Sequence, residues 1–331
     1  MNGQRISVAM CTHNGARFLP EQLESIAAQT RLPDELVICD DRSTDESVEI
    51  IETFLHHVPF AVRLEINDGN RGPTKNFEKA IGLCQGEIVA LADQDDIWLP
   101  AKLELIGETL HQRPKVAAVF SDAELIDEHS NPLNGTLWDS FAFTSREQRR
   151  FKSGHALDVL LKHYTVTGAT MAFRQEYRDL VLPAPCNHFH DSWISFLLAS
   201  VAEIALIEGP TIRYRRHPDQ QCGLREKKTF SEQVVSRMRA HPSGDLPDIN
   251  RLEEVCERLI ERSAVFPCHK NAIPLIREKI RHRQTRATPP KSRISRFLFV
   301  LRELITLRYW RYSSGLKSAA KDLFVCFVPQ R

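Results

Sequence analysis

Between residues 5 and 122 short apolar runs alternate with longer amphipathic ones. The apolar runs at 6–11, 35–39, 62–66, 87–92 and 116–120 are rich in β-branched residues and apolar at successive positions, which predicts strands buried on both faces. Between them, 19–29, 43–57, 75–84 and 99–110 carry apolar residues at helical spacing. Strands and helices in strict alternation predict an α/β domain, a mostly parallel sheet with helices on both faces. Ligands of such sheets bind outside the carboxyl ends of the strands. Polar residues collect at those ends: Thr12, His13 and Asn14; Asp40 and Asp41; Asn70, Arg71 and Lys75; Asp93, Asp95 and Asp96.

Downstream the beat weakens. Residues 127–132 read as a turn and 145–152 as a charged surface stretch, within a segment expected to face substrate. A strand is expected over 167–174 and an apolar helix over 194–202. Two strands, 203–207 and 211–215, are expected around Gly209 and Pro210, ending in Arg215, Arg216 and His217. Helices are expected over 230–240, 249–266 and 272–284, and Pro289-Pro290 marks a boundary. The organisation read from these patterns is a nucleotide-binding domain over 1–222, a helical subdomain over 223–288 and a basic amphipathic tail over 289–331.

Charge changes this picture at one end. The chain has 331 residues and a formal net charge of +1, but residues 277–331 hold 14 Lys and Arg against 3 Asp and Glu, leaving 30 against 40 elsewhere. A basic segment in which Arg alternates with Phe, Leu, Trp and Tyr suits the surface of an anionic bilayer; an amphipathic helix packed on the body is the other reading. The acidic body speaks against nucleic acid as the partner. No run of about 18 uncharged apolar residues predicts a membrane span. Residues before the first strand show no charged-then-apolar leader, and the eight scattered cysteines fit reduced thiols, so a cytoplasmic location at the inner face of the membrane is expected.

The chemistry concentrates in residues 93–96, Asp-Gln-Asp-Asp, at the end of a buried strand. Hard cations such as Mg²⁺ or Mn²⁺ take oxygen ligands and keep waters and substrate phosphates, so one or two Asp on a rigid strand end suffice. The same tetrad also reads as a solvated turn with Asp96 capping the next helix. Asp40 and Asp41 repel each other unless a base N–H or ribose hydroxyl meets them. The cations and Gly turn of residues 70–76 suit phosphate oxygens, or serve as a plain turn. Asp191, beside His190, reads either as a helix cap or as a general base.

In order and spacing, residues 6–14, 37–45, 70–72 and 92–98 with Lys102-Leu103 resemble the family 2 glycosyltransferases of the A-type glycosyltransferase fold, over about residues 5–220. Thr167-Gly-Ala-Thr170, His190-Asp-Ser-Trp193 and Tyr214-Arg-Arg-His217 resemble its rhamnosyltransferase branch. The resemblance implies inverting, metal-dependent transfer from a nucleotide sugar, dTDP-L-rhamnose, to a glycan or lipid-linked glycan acceptor. By the same resemblance Thr12, Asp40 and Asp41 hold base and ribose, and Asn14, Asn70, Arg71 and Lys75 line the donor site. Asp93 contacts ribose or metal, Asp95 ligates Mn²⁺ or Mg²⁺, Arg215 and His217 meet pyrophosphate or metal, and Asp191 is the catalytic base. Two departures stand out: Arg42 occupies a position where the family often has Gly, and Asp219-Gln220-Gln221 follows His217 in place of a more usual Asn.

Overall fold

The computed structural model describes residues 4–218, 220, 246–288 and 292–327. They fall into two compact units, Met1–Gly154 with Thr165–Leu224, and His155–Tyr164 with Arg225–Arg331. The division expected at 222/223 and the helix expected over 230–240 lie outside the described residues.

Unit 1 holds one nine-stranded sheet: β1 (Ile6–Thr12), β2 (Glu35–Asp40), β3 (Ala61–Ile66), β4 (Ile88–Ala92), β5 (Ile97–Trp98), β6 (Val116–Ile126), β7 (Pro132–Thr136), β8 (Met171–Arg174) and β9 (Glu203–Arg215). Their order is β3-β2-β1-β4-β8-β6-β9-β5, with β7 on β6. The first four strands are mutually parallel; β8 runs antiparallel to β4 and β6, and β9 returns parallel to β6. Around the sheet lie α1 (Leu19–Ala27), α2 (Ser47–Leu55), α3 (Pro73–Leu83), α4 (Lys102–Gln112), α5 (Leu137–Phe141) and α6 (Ser145–Lys152). Beyond α7 (Ala156–Lys162), which belongs to unit 2, come α8 (Arg178–Val181) and α9 (His190–Val201) of unit 1. The apolar runs of β1, β2 and β4 pack with Leu19, Leu23, Ile26, Leu103, Ile106 and Leu110 into the main core.

Four expectations are corrected. β3 has no fully buried position, because it is the edge of the sheet. The 145–152 stretch is a helix, set by a reciprocal capping box between Thr144 and Glu147 and tied down by buried Phe151. The segment opening at Gly168 begins as a 3-10 turn, Gly168–Thr170, before β8. The two strands expected around Gly209 are one: Leu206 pairs with Phe120 and Pro210 with Asp122, so β9 bulges against β6, and Gly209 (φ +79°) supplies the left-handed backbone this needs.

Unit 2 comprises α7 with α10 (Leu246–Glu261), α11 (Ala272–Ala287), α12 (Arg293–Ile305), α13 (Arg308–Tyr312) and α14 (Leu316–Phe327). The tail read as one basic helix is three, broken where Leu307 takes φ +58°, and they share a small core of Val300, Tyr309 and Ala319. On α10 and α11, Val255, Leu259, Ile276 and Ile280 are buried, and charged side chains link the helices beside them. Arg308 bridges Glu278 (2.7 Å) and Glu303 (3.0 Å), Tyr312 donates to Glu278 (2.6 Å), and Arg286 and Tyr309 both reach Asp322. Lys279 Nζ donates to the Tyr312 carbonyl at 2.6 Å.

At the centre His282 is buried between Glu303 (Nδ1 to Oε2, 2.6 Å) and Ser313 (Nε2 to Oγ, 3.1 Å). Arg286 donates to the same Ser313 oxygen, so the hydroxyl proton is free to go to Nε2, and a neutral imidazole protonated on Nδ1 satisfies every partner. Burial holds the His282 imidazole below its ordinary value of 6.5, against the pull of Glu303. On Glu303 burial pushes upward, but hydrogen bonds from His282 and Arg308 prevail and hold it below the usual carboxylate range.

These shifts predict an acid-labile unit. As pH falls through 6.5 the unfolded chain protonates at His282 before the folded one does, so unit 2 loses stability on acidification; Glu303 adds a loss of the same sign only below 4.5. Hydrogen exchange of α11 and α12, corrected for intrinsic rate, should show protection falling from neutral pH to about 5.5. His282→Gln keeps one donor and cannot take up a proton, so it should flatten that slope while costing about 1–3 kcal/mol. A slope unchanged in the variant would acquit His282.

Candidate active site

Parallel pairing aligns the strand ends. Thr12 lies opposite Asp40, Asp40 opposite Ile66, and Met10 opposite Ala92, so the residues just past β1, β2 and β4 emerge side by side. Gln94 clasps two of these ends: it accepts from His13 N (2.7 Å) and donates to His13 O (3.0 Å). The Gln94 amide lies directly over Gly15, where a Cβ would require it to shift.

The two aspartates after β2 are occupied by protein donors. Asp40, fully buried, accepts from Thr12 Oγ1 (2.7 Å) and from the backbone N–H (2.7 Å) and hydroxyl (2.6 Å) of Ser43. Asp41 accepts from Asn67 Nδ2 (2.9 Å) and from the backbone N–H groups of Arg71 and Gly72 (both 2.8 Å). Loop donors thus meet the repulsion expected between neighbouring carboxylates. Thr12, Asp40 and Asp41 therefore fix the loops around the site. Asn14 and Asn70 do similar work: Asn14 Oδ1 accepts from Thr44 N (2.8 Å), and Asn70 Oδ1 accepts from Gly72 N (3.0 Å) while its Nδ2 meets His13 Nε2 (3.2 Å). Arg42 has φ +62°, which explains the family's Gly at this position, and donates to the Asp68 carbonyl at 2.9 Å.

Lys75 lies in the first turn of α3. It is ion-paired with Glu78 at 2.7 Å and, with Arg71, lines a groove along α3 beside Glu78, Lys79, Gly82 and Leu83. Positions 75, 78, 79 and 82 share one face of a helix, so Lys75 is carried to the outer side of α3.

The end of β4 gathers residues from distant parts of the chain. β5 pairs antiparallel with β9, Ile97 opposite Arg213 and Trp98 opposite Ile212, and the same register carried onward sets Asp95 against Arg215. Arg215 N donates to Asp96 Oδ1 (3.0 Å) and Arg215 Nε to the Asp95 carbonyl (2.8 Å). Its guanidinium also reaches Ser130 Oγ (2.8 Å), pairs with Glu21 and lies 4.8 Å from the Phe18 ring centre. Only 1% exposed, Arg215 is a strut under the site, with its donors engaged by the protein. Two residues on, His217 meets Asp95 (Nε2 to Oδ2, 2.9 Å) and rests against Phe18, while its buried Nδ1 has no partner.

Asp191 arrives from the start of α9. The N-cap of that helix is Phe189, without a side-chain cap, so Asp191 lies inside the first turn and accepts from Ser192 N (2.6 Å) and Gly168 N (3.1 Å). Lys102, fully buried, holds the same 3-10 turn from the other side, Nζ to the Ala169 carbonyl at 2.6 Å, with the ammonium 3.5 Å from the Trp98 ring centre. His190 stacks on Phe77 at 3.9 Å, and a Cβ at Gly168 would lie 2.5 Å from His190 Nε2.

The result is a concentration of negative charge. Burial, then Asp95 and then Asp191, push the Asp93 carboxyl up to about 7. Burial, then Asp95 and then Asp93, push Asp96 well up, and its Oδ2 is buried without a partner. Burial pushes Lys102 down, against the attraction of Asp96 and Asp93. Among the described residues no cluster of three or more His, Cys, Asp or Glu is arranged to hold a metal ion by itself. The donor set nevertheless fits a hard cation completed by diphosphate and water, because Asp95 and Asp93 offer oxygen at a spot where unbalanced negative charge disfavours the ionised carboxylates. Lys102, Gln94 and Glu21 carried no assigned role; nothing in their spacing ties them to residues 67 to 194 positions away.

Comparison with known proteins follows this geometry. The family described as glycosyl transferase family 2 matches residues 7–180. An uncharacterized glycosyltransferase of Nostoc sp. is 34% identical over 130 residues, 39% of this chain and 40% of that one. An uncharacterized protein of Mycobacterium tuberculosis is 29% identical over 215 residues, 64% of this chain and 59% of that one. The chain thus spans about half the length of these curated relatives. Among solved structures, S. aureus TarS 1–349 in complex with UDP-GlcNAc superposes with a TM-score of 0.53 at 17% identity, over 97% of this chain and 90% of that one. The sheet, its flanking helices and this superposition show the A-type glycosyltransferase fold expected from the sequence. With more than half of its length matched by the family, the chain belongs to glycosyl transferase family 2.

Proposed function

We propose that the protein transfers a sugar from a nucleotide sugar to a hydroxyl of a glycan or lipid-linked glycan, with inversion at the anomeric carbon, in the synthesis of a cell-surface polysaccharide. The observation that carries this reading is the meeting of Asp93, Asp95 and His217 at one strand end with Asp191 across from them on α9. An inverting displacement needs one base for the attacking hydroxyl and neutralisation of the leaving diphosphate. Asp191 takes the hydroxyl proton as the oxygen attacks the anomeric carbon, and the nucleoside diphosphate leaves from the opposite face. Asp95, with Asp93 and His217, holds Mn²⁺ or Mg²⁺, which when bound supplies positive charge for the diphosphate. Asp40, Asp41, Thr12, Asn14 and Asn70 shape the loops that border the nucleoside.

The first donor to test is dTDP-L-rhamnose, supported by the resemblance of residues 167–170, 190–193 and 214–217 to the rhamnosyltransferase branch; an L-rhamnose in β-linkage to dTDP would emerge as an α-rhamnoside. A UDP-linked sugar is the second reading, favoured by the UDP-GlcNAc bound to S. aureus TarS. Among the described residues no helix is long and apolar enough to cross a membrane. Contact with an anionic inner membrane face falls to the basic tail, where a lipid-linked acceptor would be met.

Two measurements test the site. Asp191→Asn keeps an acceptor for the Gly168 N–H, so the fold should stand while kcat falls about 10²–10⁴-fold and donor Kd stays near wild type. Near wild-type turnover would return Asp191 to a purely structural role. Calorimetric titration with the nucleoside diphosphate of the active donor should show Mn²⁺-dependent binding that weakens about 10–100-fold in Asp95→Asn and in His217→Gln. Unchanged Mn²⁺ dependence in both variants would remove the assigned cation site.

A further inference from the structure

Helix α12 is amphipathic in the reverse sense to a packed surface helix. At about 100° per residue, Ile294, Phe297, Leu298, Leu301 and Ile305 fall within an arc of about 100°, and all five are exposed, Ile294 at 73% and Ile305 at 72%. No polar residue lies within that arc. Glu303 lies on the opposite side and is buried, as is Val300, and it pairs with His282 and Arg308. Arg293 and Arg302 are exposed and flank the apolar arc on its two edges, about 80–100° from Ile294. The chain continues into Leu307 (61% exposed) and Trp310 (43%).

A helix normally buries its apolar stripe and turns its charges to water. Here Val300 and the partly buried Phe299 and Leu304 face the interior of unit 2, where ion pairs also lie, and a second apolar stripe is left outside. An exposed apolar patch edged by basic residues marks an interaction site. The stripe offers no donor or acceptor for directional pairing with a protein surface. Long Arg side chains on both edges can lay their stems along acyl chains and hold their guanidinium groups at the level of lipid phosphates.

We propose that unit 2 docks on an anionic lipid surface through this face of α12, the helix lying in the plane of the interface with Phe297, Leu298, Leu301 and Ile305 sunk among the acyl chains and Arg293 and Arg302 on phosphates. This deepens the membrane contact proposed for the basic tail and rests on it, but fixes which side of which helix makes the contact and assigns Glu303 the opposite, inward side.

Co-sedimentation of the full chain with phosphatidylglycerol vesicles and with phosphatidylcholine vesicles tests this. Wild type should pellet with the first and far less with the second. Phe297→Gln with Leu301→Gln changes only exposed positions and should lower partition about tenfold or more. Arg293→Gln with Arg302→Gln should lower partition into anionic vesicles about 10–30-fold and erase the preference for them. Wild-type failure to pellet, or equal partition of the Phe297/Leu301 variant, would overturn the proposal. So would a wild-type dimer that this variant dissolves without any vesicle binding, since the face would then join two copies. Nucleoside diphosphate release in vesicle-free solution keeps the two readings apart: the surface variants should retain it, and its absence in wild type would strike the transferase reading while leaving the lipid result standing.

Discussion

Asp93, Asp95 and Asp96 stand within four residues at the end of a buried strand, and the surrounding unit is arranged so that this repulsion can be tolerated. Lys102 supplies a buried positive charge facing Asp93 and Asp96, and the Arg215 backbone donates to Asp96. His217 takes Asp95. What remains unbalanced is shown by the raised Asp93 carboxyl, and Asp191 adds to it from α9. A site that holds excess negative charge against desolvation is poised to take a cation and the diphosphate that accompanies it. Its supports must then be stiff, since a cluster free to spread would relieve the repulsion by moving apart.

That stiffness comes from short, specific connections. The two residues of β5 pair with the last turn of a thirteen-residue strand, and this pairing alone sets the register that brings residues 215 and 217 to residues 95 and 96. The 3-10 turn at Gly168–Thr170 is held from both sides, by Lys102 through a carbonyl and by Asp191 through an N–H. Gly168 has no room for a side chain because His190 fills the space, stacked on Phe77. A carboxylate that would act as base is thereby fixed by the same turn that anchors the lysine beneath the acidic cluster.

Unit 2 solves a different problem. Its helices bury apolar residues such as Val255, Leu259, Ile276 and Val300, and beside them ion pairs and tyrosine hydroxyls knit α11 to α14 together. Replacing such buried pairs with apolar side chains is often neutral or stabilising, so their presence argues that the apolar residues of α12 are wanted elsewhere.

The alternation of buried strands and amphipathic helices, the collection of polar residues at strand ends and the acidic tetrad at residues 93–96 were determined by the sequence alone, because periodicity and local turn chemistry write them into neighbouring residues. Helix starts were shifted, as in the helix read over 43–57, which begins at Ser47 with its N–H bonded to Asp45. Only the tertiary structure decided what each polar residue does. Asp40 and Asp41 read as ligand contacts in the sequence, and the fold shows in addition that donors from residues 12, 43, 67, 71 and 72 converge on them. Arg215 is buried with its donors on protein partners, while His217, two residues on, reaches Asp95 of the acidic cluster. The inverted face of α12 was likewise invisible, because a helical repeat identifies which residues share a side but not which side the rest of the protein will cover. Pairing register, burial and charge compensation arise between segments far apart in sequence, and they appear only when the chain has folded.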